Sequence, residues 1–134
     1  NDLLPCLDQD NARRQKIAAI YDQSLEGLGL ILPRRRDNVE HVFHLYVVET
    51  DQRDALIHYL RNHEIAAGIH YAQPTHLHDA YRGRIKIPAP LINTECAADR
   101  ILSLPMYPEL LDEEIDRIIA ATTHFFGDES ALIA

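Results

Sequence analysis

In the first part of the chain, hydrophobic residues at helical spacing are followed by a short continuous hydrophobic run. A helix is predicted from an N-cap at Asn11 to Gly27 and Gly29, because apolar residues between them recur every three or four positions. The predicted apolar face consists of Ile17, Ile20, Tyr21, Leu25 and Leu28. A brief apolar run at 30–32, closed by Pro33, is compatible with an edge strand.

Two further predicted strands flank a second helix. Residues 42–48 are almost continuously apolar and rich in β-branched and aromatic side chains, which favours a central strand. Asp51 is predicted to cap a helix that buries Leu56, Tyr59 and Leu60. A strand over 65–71 follows. Residues 72–94 then contain three prolines and no sustained period, which predicts a long irregular excursion of the kind that is usually functional.

Regular structure is predicted to return near the end. A short helix begins at Asn93 or Thr94, and a strand follows over 101–104, ended by proline. Asp112 is predicted to cap the last helix, which ends at Gly127, and 128–134 to be a frayed tail. The apolar face of that helix is Ile115, Ile118, Ile119, Thr122 and Phe126. The order of elements predicts an α+β fold, with helices covering one face of a small, mostly antiparallel sheet.

Composition excludes several classes of protein. At 134 residues, 46% of them hydrophobic, the chain is one domain with a substantial core. A net charge of −8 argues against nucleic acid or an anionic membrane as the main partner. The basic run 34–36 is interpreted as a solvated loop in preference to a phosphate-binding patch. Cys6 and Cys96 have no metal-type spacing, which favours reduced thiols in a cytoplasmic protein.

Candidate chemistry is concentrated at 68–81, where three histidines, two tyrosines and a proline follow a short apolar run. Loops on rigid scaffolds carry function, so contact with an anionic or sugar-like ligand is favoured. A surface or structural role for His70, His76 and His78 stays open. So does a metal site, although the spacing of cysteines or carboxylates typical of zinc is missing.

Two other sets of residues carry groups that could take part in chemistry. Ser103 or Cys96 as a nucleophile lacks any nucleophile-elbow pattern, so no catalytic residue is assigned. His44 lies in the predicted central strand, where a lone histidine is more often a hydrogen-bonded core residue than a catalyst. Tyr46 is two positions further on and is therefore expected on the same face of that strand.

Four blocks, in order along the chain, resemble segments of the DegT/DnrJ/StrS family of pyridoxal-phosphate-dependent sugar aminotransferases. Residues 11–21 resemble the helix that leaves the family's large domain, and residues 41–48 its His-x-x-His-Leu-Tyr-Val strand. Residues 68–81 are similar to its Gly-x-x-His-Tyr-Pro-x-Pro-Leu-His segment, and residues 102–115 to its closing Leu-Ser-Leu-Pro signature. Each block alone is weak, whereas the four together are specific.

The resemblance implies the C-terminal small domain of a fold-type I aminotransferase. The complete enzyme would use pyridoxal phosphate to move an amino group from an amino acid such as glutamate to a nucleotide-linked keto-sugar, as a cytoplasmic homodimer. Its catalytic lysine and cofactor site lie in the large domain upstream, and neither Lys16 nor Lys86 matches a catalytic motif. No cofactor and no transaminase activity are therefore expected of this chain alone.

The resemblance also implies which residues do what. Residues 1–10 would be a remnant of the connection to a missing large domain, and 11–127 the small domain. Because the chain begins at Asn1 without a methionine, truncation is favoured over processing. The wall that faces the nucleotide-sugar substrate is expected to consist of His70, Tyr71, His76, His44 and Tyr46.

Two departures from the family pattern put the detailed contacts of the loop in doubt. Ala72 stands where the family usually has proline, and Thr75 where it usually has leucine. Another reading of the chain is a stand-alone module, without catalysis, that binds a nucleotide-sugar or docks on a partner protein. An exposed apolar patch on the face that would otherwise meet a large domain would invite such association.

Overall fold

The computed structural model describes residues 4–127. Four helices and two strands are present in this range, together with short 3-10 turns at Leu4–Cys6 and Thr75–Leu77. In chain order the elements are α1 (Leu7–Leu25), β1 (Tyr46–Glu49), α2 (Arg53–Asn62), α3 (Ile92–Arg100), β2 (Ile101–Leu104) and α4 (Asp112–Gly127). The predicted tail at 128–134 lies outside the described residues, as do residues 1–3.

The sheet consists of β1 and β2, which pair antiparallel with Tyr46 opposite Leu104. One isolated bridge joins Ile31 to Glu49, and another joins Gly68 to Ser103. The α+β class with an antiparallel sheet is thus confirmed. The predicted strands at 30–32 and 65–71 were wrong, because each is reduced to a single bridge. Pro33 stops the first soon after Ile31, since proline cannot donate to a ladder.

The strand predicted over 42–48 was too long, because β1 begins only at Tyr46. Phe43 has a φ of 49°, and this left-handed conformation interrupts the extended chain. Its N–H is bonded to Nδ1 of His41 at 2.9 Å. The turn places the Phe43 ring in the core, only 2% exposed. The central position was correct, since β1 has β2 on one side and the Ile31 bridge on the other.

Helix α1 begins at Leu7, four residues before the predicted cap at Asn11. Asp8 and Asp10 lie in its first turn, where the positive end of the helix dipole favours carboxylates. The helix ends before Gly27, whose φ of 80° is left-handed. The buried residues of α1 are Ile17, Ala18, Tyr21 and Leu25. The predicted members Ile20 and Leu28 are only partly buried.

Asp51 does not cap α2, so this prediction was wrong. The N-cap position is Gln52, and its N–H donates to Oγ1 of Thr50 at 3.2 Å instead. Asp51 pairs with Arg100, with 2.9 Å between Oδ1 and Nε. The carboxylate therefore ties the start of α2 to the end of α3. Of the predicted buried face, Leu56 and Leu60 are buried and Tyr59 is partly buried.

The end of α2 has the hydrogen bonds of a Schellman motif. The Glu64 N–H donates to the Arg61 carbonyl at 3.0 Å, and the Ile65 N–H donates to the Leu60 carbonyl at 2.9 Å. Glu64 occupies the left-handed position of this motif with a φ of 60°, where glycine is the usual residue. Both Leu60 and Ile65 lie in the core.

The last elements agree closely with the sequence pattern. Helix α3 begins at Ile92, one residue before the predicted start, and β2 has the predicted bounds. Asp112 is the first residue of α4 rather than its cap. The buried residues of α4 are Ile115, Ile118, Thr122 and Phe125. Phe125 therefore takes the buried position that was predicted for Phe126, which is only partly buried.

Helix α1 is fastened to the segment between β2 and α4. The Tyr21 hydroxyl donates to the Pro105 carbonyl at 3.0 Å. Arg14 donates to the Met106 carbonyl at 3.0 Å. Arg13 donates to the Leu110 carbonyl and to the Asp112 carboxylate, both at 2.7 Å. These bonds hold the beginning and the end of the described chain together around one core.

Candidate functional site

The ring-bearing stretch at 68–81 lies beside β2, where the Gly68–Ser103 bridge attaches it to the sheet. His70 is exposed, and its Nδ1 lies 2.9 Å from the Oγ of Ser103, which is 4% exposed. Tyr71 is 77% exposed and packs edge-on against the His70 ring, with 5.7 Å between centroids. One buried hydroxyl thus holds an imidazole that faces the surface next to a phenol.

His76 is held differently from His70, because it is only 8% exposed. It belongs to the 3-10 turn at Thr75–Leu77, and its Nε2 lies 2.9 Å from a carboxylate oxygen of Glu95 in α3. This pair ties the irregular excursion to α3. His76 therefore supports the loop from beneath, while His70 faces outward.

A shallow groove separates the loop from α3. It has a volume of about 480 Å³ and lies between Tyr71, Gln73 and Thr75 on one side and Asn93 and Thr94 on the other. Hydroxyl and amide groups of these types both donate and accept hydrogen bonds. Pro74, Ala97 and Ile101 also line the groove, so its surface is mainly apolar with a few hydrogen-bonding groups at its sides.

The histidines of the stretch have separate partners. Nε2 of His78 donates to the Gln73 carbonyl at 3.2 Å, whereas His70 and His76 are bonded to Ser103 and Glu95. Within residues 4–127, no group of three or more histidine, cysteine or carboxylate residues is arranged to hold a metal ion.

Tyr46 lies on β1, across β2 from this stretch. Tyr46 is fully buried on β1, and its hydroxyl donates to Asp22 at 2.7 Å. Asp22 also accepts from Arg35, whose guanidinium lies over the Phe43 ring at 5.0 Å from the centroid. Arg35 of the basic run is thus an internal partner and not a free phosphate ligand.

The prediction that His44 and Tyr46 share a strand face was wrong. His44 precedes β1 and is exposed, because the left-handed turn at Phe43 ends the regular alternation that the prediction assumed. The view of His44 as a hydrogen-bonded core residue fails for the same reason. His44 could contact a substrate at the protein surface. Tyr46 could not, because its side chain is fully buried.

Three shifted pKa values follow from this packing. Burial raises the pKa of Tyr46 far above its ordinary value, and the hydrogen bond to Asp22 raises it further. Burial also raises the pKa of Tyr21, with a smaller contribution from Tyr107. The hydrogen bond from Arg13 lowers the pKa of the Asp112 carboxyl. None of these groups lies in the ring-bearing stretch, so the shifts concern stability.

Sequence reasoning missed three residues that organise the stretch. Ser103 was considered only as a nucleophile, although its hydroxyl bonds His70. Glu95 and Gly68 were not singled out. No local pattern could have identified the two partners, since Ser103 lies 33 residues from His70 and Glu95 lies 19 residues from His76.

Comparison with known proteins identifies the fold and the family. The profile of the DegT/DnrJ/EryC1/StrS aminotransferase family matches residues 2–123. This chain belongs to that family. The resemblance carried by the four sequence blocks is therefore confirmed.

Two relatives of this DegT-family chain are named as sugar aminotransferases. A dTDP-3-amino-3,6-dideoxy-alpha-D-galactopyranose transaminase from Aneurinibacillus thermoaerophilus is 34% identical, over 91% of this chain and 33% of its own length. A UDP-N-acetyl-3-dehydro-alpha-D-glucosamine 3-aminotransferase from Acidithiobacillus ferrooxidans is 37% identical, over 85% of this chain and 30% of its own. The chain spans about a third of the length of these relatives.

Solved structures give the same answer for the fold. DesV from S. venezuelae superposes with a TM-score of 0.89 at 36% identity, over 93% of this chain and 34% of DesV. A DegT DnrJ EryC1 StrS aminotransferase from Brucella abortus gives 0.87 at 31% identity, over 93% of this chain and 33% of its own. The fold is that of part of a fold-type I sugar aminotransferase.

The DegT family uses pyridoxal phosphate, whose aldehyde is bound by a lysine of the enzyme. The two lysines of this chain, Lys16 and Lys86, are both exposed. Neither belongs to the ring-bearing stretch or its groove. No step of amino transfer is therefore derived from this chain's own residues.

None of the helices within residues 4–127 has the length and apolar character needed to cross a bilayer.

Proposed function

We propose that this chain is the C-terminal small domain of an aminotransferase that moves an amino group from an amino acid such as glutamate to a nucleotide-linked keto-sugar. Family membership over residues 2–123 carries the proposal. It is supported by relatives that act on dTDP- and UDP-linked sugars. Because the chain spans about a third of those relatives, it is proposed to be inactive alone.

The domain's contribution would be one wall of the substrate cleft. His70 and Tyr71 are exposed at the edge of β2, where an imidazole can donate to a phosphate or sugar oxygen and a phenol can stack or hydrogen-bond. His76 and Glu95 would hold the loop in place beneath them. His44 is exposed and stays a proposed contact of this wall, whereas Tyr46 is fully buried and could act only from within the core.

The partner of the domain would be the large domain of the same enzyme, packed against the irregular excursion. Half of the large hydrophobic side chains that are exposed among residues 4–127 lie in 71–92. They are Tyr71, Leu77, Tyr81, Ile85, Ile87, Leu91 and Ile92. We call this the 71–92 surface. This concentration of exposed apolar side chains supports an interaction site, and the unmatched two-thirds of the relatives' length supplies the occupant. We also propose that the complete enzyme is a cytoplasmic homodimer.

The first test is the intact mass of the native gene product. A product about three times as long as this chain, with a lysine-bearing domain ahead of Asn1, is expected. That product should bind pyridoxal phosphate and convert glutamate to 2-oxoglutarate when given a dTDP- or UDP-linked keto-sugar. The 134-residue chain should do neither. A borohydride-trappable adduct together with turnover by the short chain would overturn the proposal. A native product of only 134 residues would leave a binding or docking module.

A further inference from the structure

Gly68 and Ser103 form a hydrogen-bonded pair in their bridge. The Gly68 N–H donates to the Ser103 carbonyl at 3.0 Å, and the Ser103 N–H donates to the Gly68 carbonyl at 2.7 Å. Side chains of directly opposed residues in an antiparallel pair lie on the same face. The Ser103 hydroxyl therefore has an unfilled position beside it, because its partner has no side chain.

The His70 ring fills that position. A Cβ added to Gly68 would lie 2.9 Å from Cε1 of the ring, and 3.7 Å from each ring nitrogen. Real Cβ atoms are essentially never this close to another heavy atom, so a larger residue at 68 would displace the His70 ring from this position. Gly68 has no left-handed φ, since the positive-φ glycines within residues 4–127 are Gly27 and Gly83. It is needed here for space.

Ser103 fixes which nitrogen is available. Its Oγ is bonded to Nδ1, and Nε2 of His70 has no hydrogen-bond partner among residues 4–127. Ser103 is 4% exposed, so its hydroxyl is shielded from competing water, while His70 is exposed. An imidazole held at one nitrogen loses little further freedom when a ligand binds the other.

We propose that Ser103 and Gly68 are positioning residues that hold the His70 imidazole against β2 and present its Nε2 to an oxygen of the nucleotide-sugar. Neither residue touches the substrate; both act through His70. The inference rests on the proposed function for the identity of the ligand, whereas the geometry of the ring is a property of the protein alone. The two can therefore be tested separately.

The first measurement needs no ligand. In the native full-length protein with isotope-labelled histidine, the Hε1 proton of His70 should give a nuclear Overhauser cross-peak to the Gly68 Hα protons. His70→Gln identifies the signal by removing it. The cross-peak should be lost in Ser103→Ala and retained in Ser103→Thr, which keeps the hydroxyl. A cross-peak that is missing from the unmutated protein, or that survives in Ser103→Ala, would overturn the inference.

The second measurement is a double-mutant cycle on binding of dTDP-glucose and UDP-N-acetylglucosamine. Ser103→Ala and Gly68→Ala should each weaken binding on the order of threefold to tenfold, because the free ring must be ordered again on binding. Ser103→Thr should restore most of this loss. In a His70→Gln background, Ser103→Ala should cause no further loss, since coupled residues are not additive.

Two control variants separate positioning from general damage to the fold. Thr122→Val removes another buried hydroxyl, which is bonded within α4 to the Ile118 carbonyl. Gly127→Ala adds a methyl group where nothing lies within 4 Å. Both should bind the two probes like the unmutated protein.

The outcomes separate the positioning role of Ser103 and Gly68 from the proposed function. Failure of the unmutated protein to bind either probe would contradict the proposed function. Binding that survives His70→Gln would contradict the assignment of His70 to the substrate wall and the inference with it. Binding that His70→Gln weakens but Ser103→Ala does not would overturn the inference alone.

Discussion

Glu64 adopts a backbone conformation that an L-residue adopts at a cost. A left-handed conformation costs a side-chain-bearing residue about 1–2 kcal/mol, part of which glycine returns through its greater freedom when unfolded. Glu64→Gly is expected to raise the free energy of unfolding by about 0.5–1 kcal/mol. Urea denaturation measures this.

The control for that substitution is Glu64→Ala. This substitution removes the ion pair with Arg117, in which the charged groups of two exposed side chains are 3.7 Å apart. It leaves a side chain on the left-handed backbone, so the strain remains. No gain in stability is expected from it. Equal stabilisation by alanine and glycine would show that the charge of Glu64, and not its φ, is what matters.

The buried phenols predict a loss of stability at alkaline pH. Tyr21 and Tyr46 both have a raised pKa in the folded protein. They therefore stay protonated in the native state at about pH 10, where tyrosines of the unfolded chain ionise. The unfolded state then binds fewer protons than the native state, and stability falls as the pH rises through about 10. Tyr46→Phe should lower the free energy of unfolding by about 1–2 kcal/mol at neutral pH, by removing the hydrogen bond to Asp22.

The pH dependence distinguishes the phenol's ionisation from its packing. Between about pH 8 and about pH 11, Tyr46→Phe should lose less stability than the unmutated protein, so the gap between them narrows. Urea titrations at both pH values measure this, with Tyr81→Phe, at an exposed tyrosine, as the control. A gap that stays constant would mean that Tyr46 ionises equally easily in both states.

At the residue scale, the sequence predicts what is local. His70 and Tyr71 were assigned from a ring-rich run after an apolar segment, and both are exposed there. The family resemblance placed Tyr46 in the same wall, but its side chain is fully buried. Its partner Asp22 lies 24 residues away on α1, and no spacing rule connects the two. Pairings between distant segments decide which polar side chains are buried.

The irregular excursion at 72–94 is bonded to α3 through His76 and Glu95. Glu95→Gln weakens the bond to the buried His76 and should make 72–94 more susceptible to trypsin, at Arg82, Arg84 and Lys86. Local opening of this kind exposes backbone to proteolysis. A rise of several-fold in the cleavage rate is expected by electrophoresis or mass spectrometry.

A surface ion pair within the same excursion provides the control for Glu95→Gln. Asp79 and Arg82 are 3.4 Å apart and largely exposed, so Asp79→Asn should leave the cleavage rate unchanged. If both variants were cleaved equally fast, the loop's order would not depend on the buried histidine.

At the element scale, residues that end strands explain which strand bounds could be predicted. β2 was placed correctly because Pro105 follows it directly, and proline has no N–H to donate to the ladder. The strand over 42–48 was misplaced because Phe43, an aromatic residue that favours strands, adopts the left-handed conformation. Core burial of its ring outweighs the local preference of the residue, and only tertiary structure shows this.

The 71–92 surface gives a prediction for the molecule as a whole. Ile92 and Leu111 are each 63% exposed, but only Ile92 belongs to that surface. In the native full-length protein, Ile92→Glu should lower the melting temperature by several degrees, because a carboxylate would be buried against the large domain. Leu111→Glu should leave it nearly unchanged. Differential scanning calorimetry of the pair measures this, and equal melting temperatures would place the interface elsewhere.

The bonds that fasten α1 to the far end of the chain bear on how the protein is made. Tyr21 donates its hydroxyl to a carbonyl 84 residues further on. A ribosome adds about 5–20 residues each second, so that partner is synthesised about 4–17 s after Tyr21. Throughout this interval the side of α1 that packs on α4 has nothing native to cover it. Translation speed therefore limits how soon the core can close around α1.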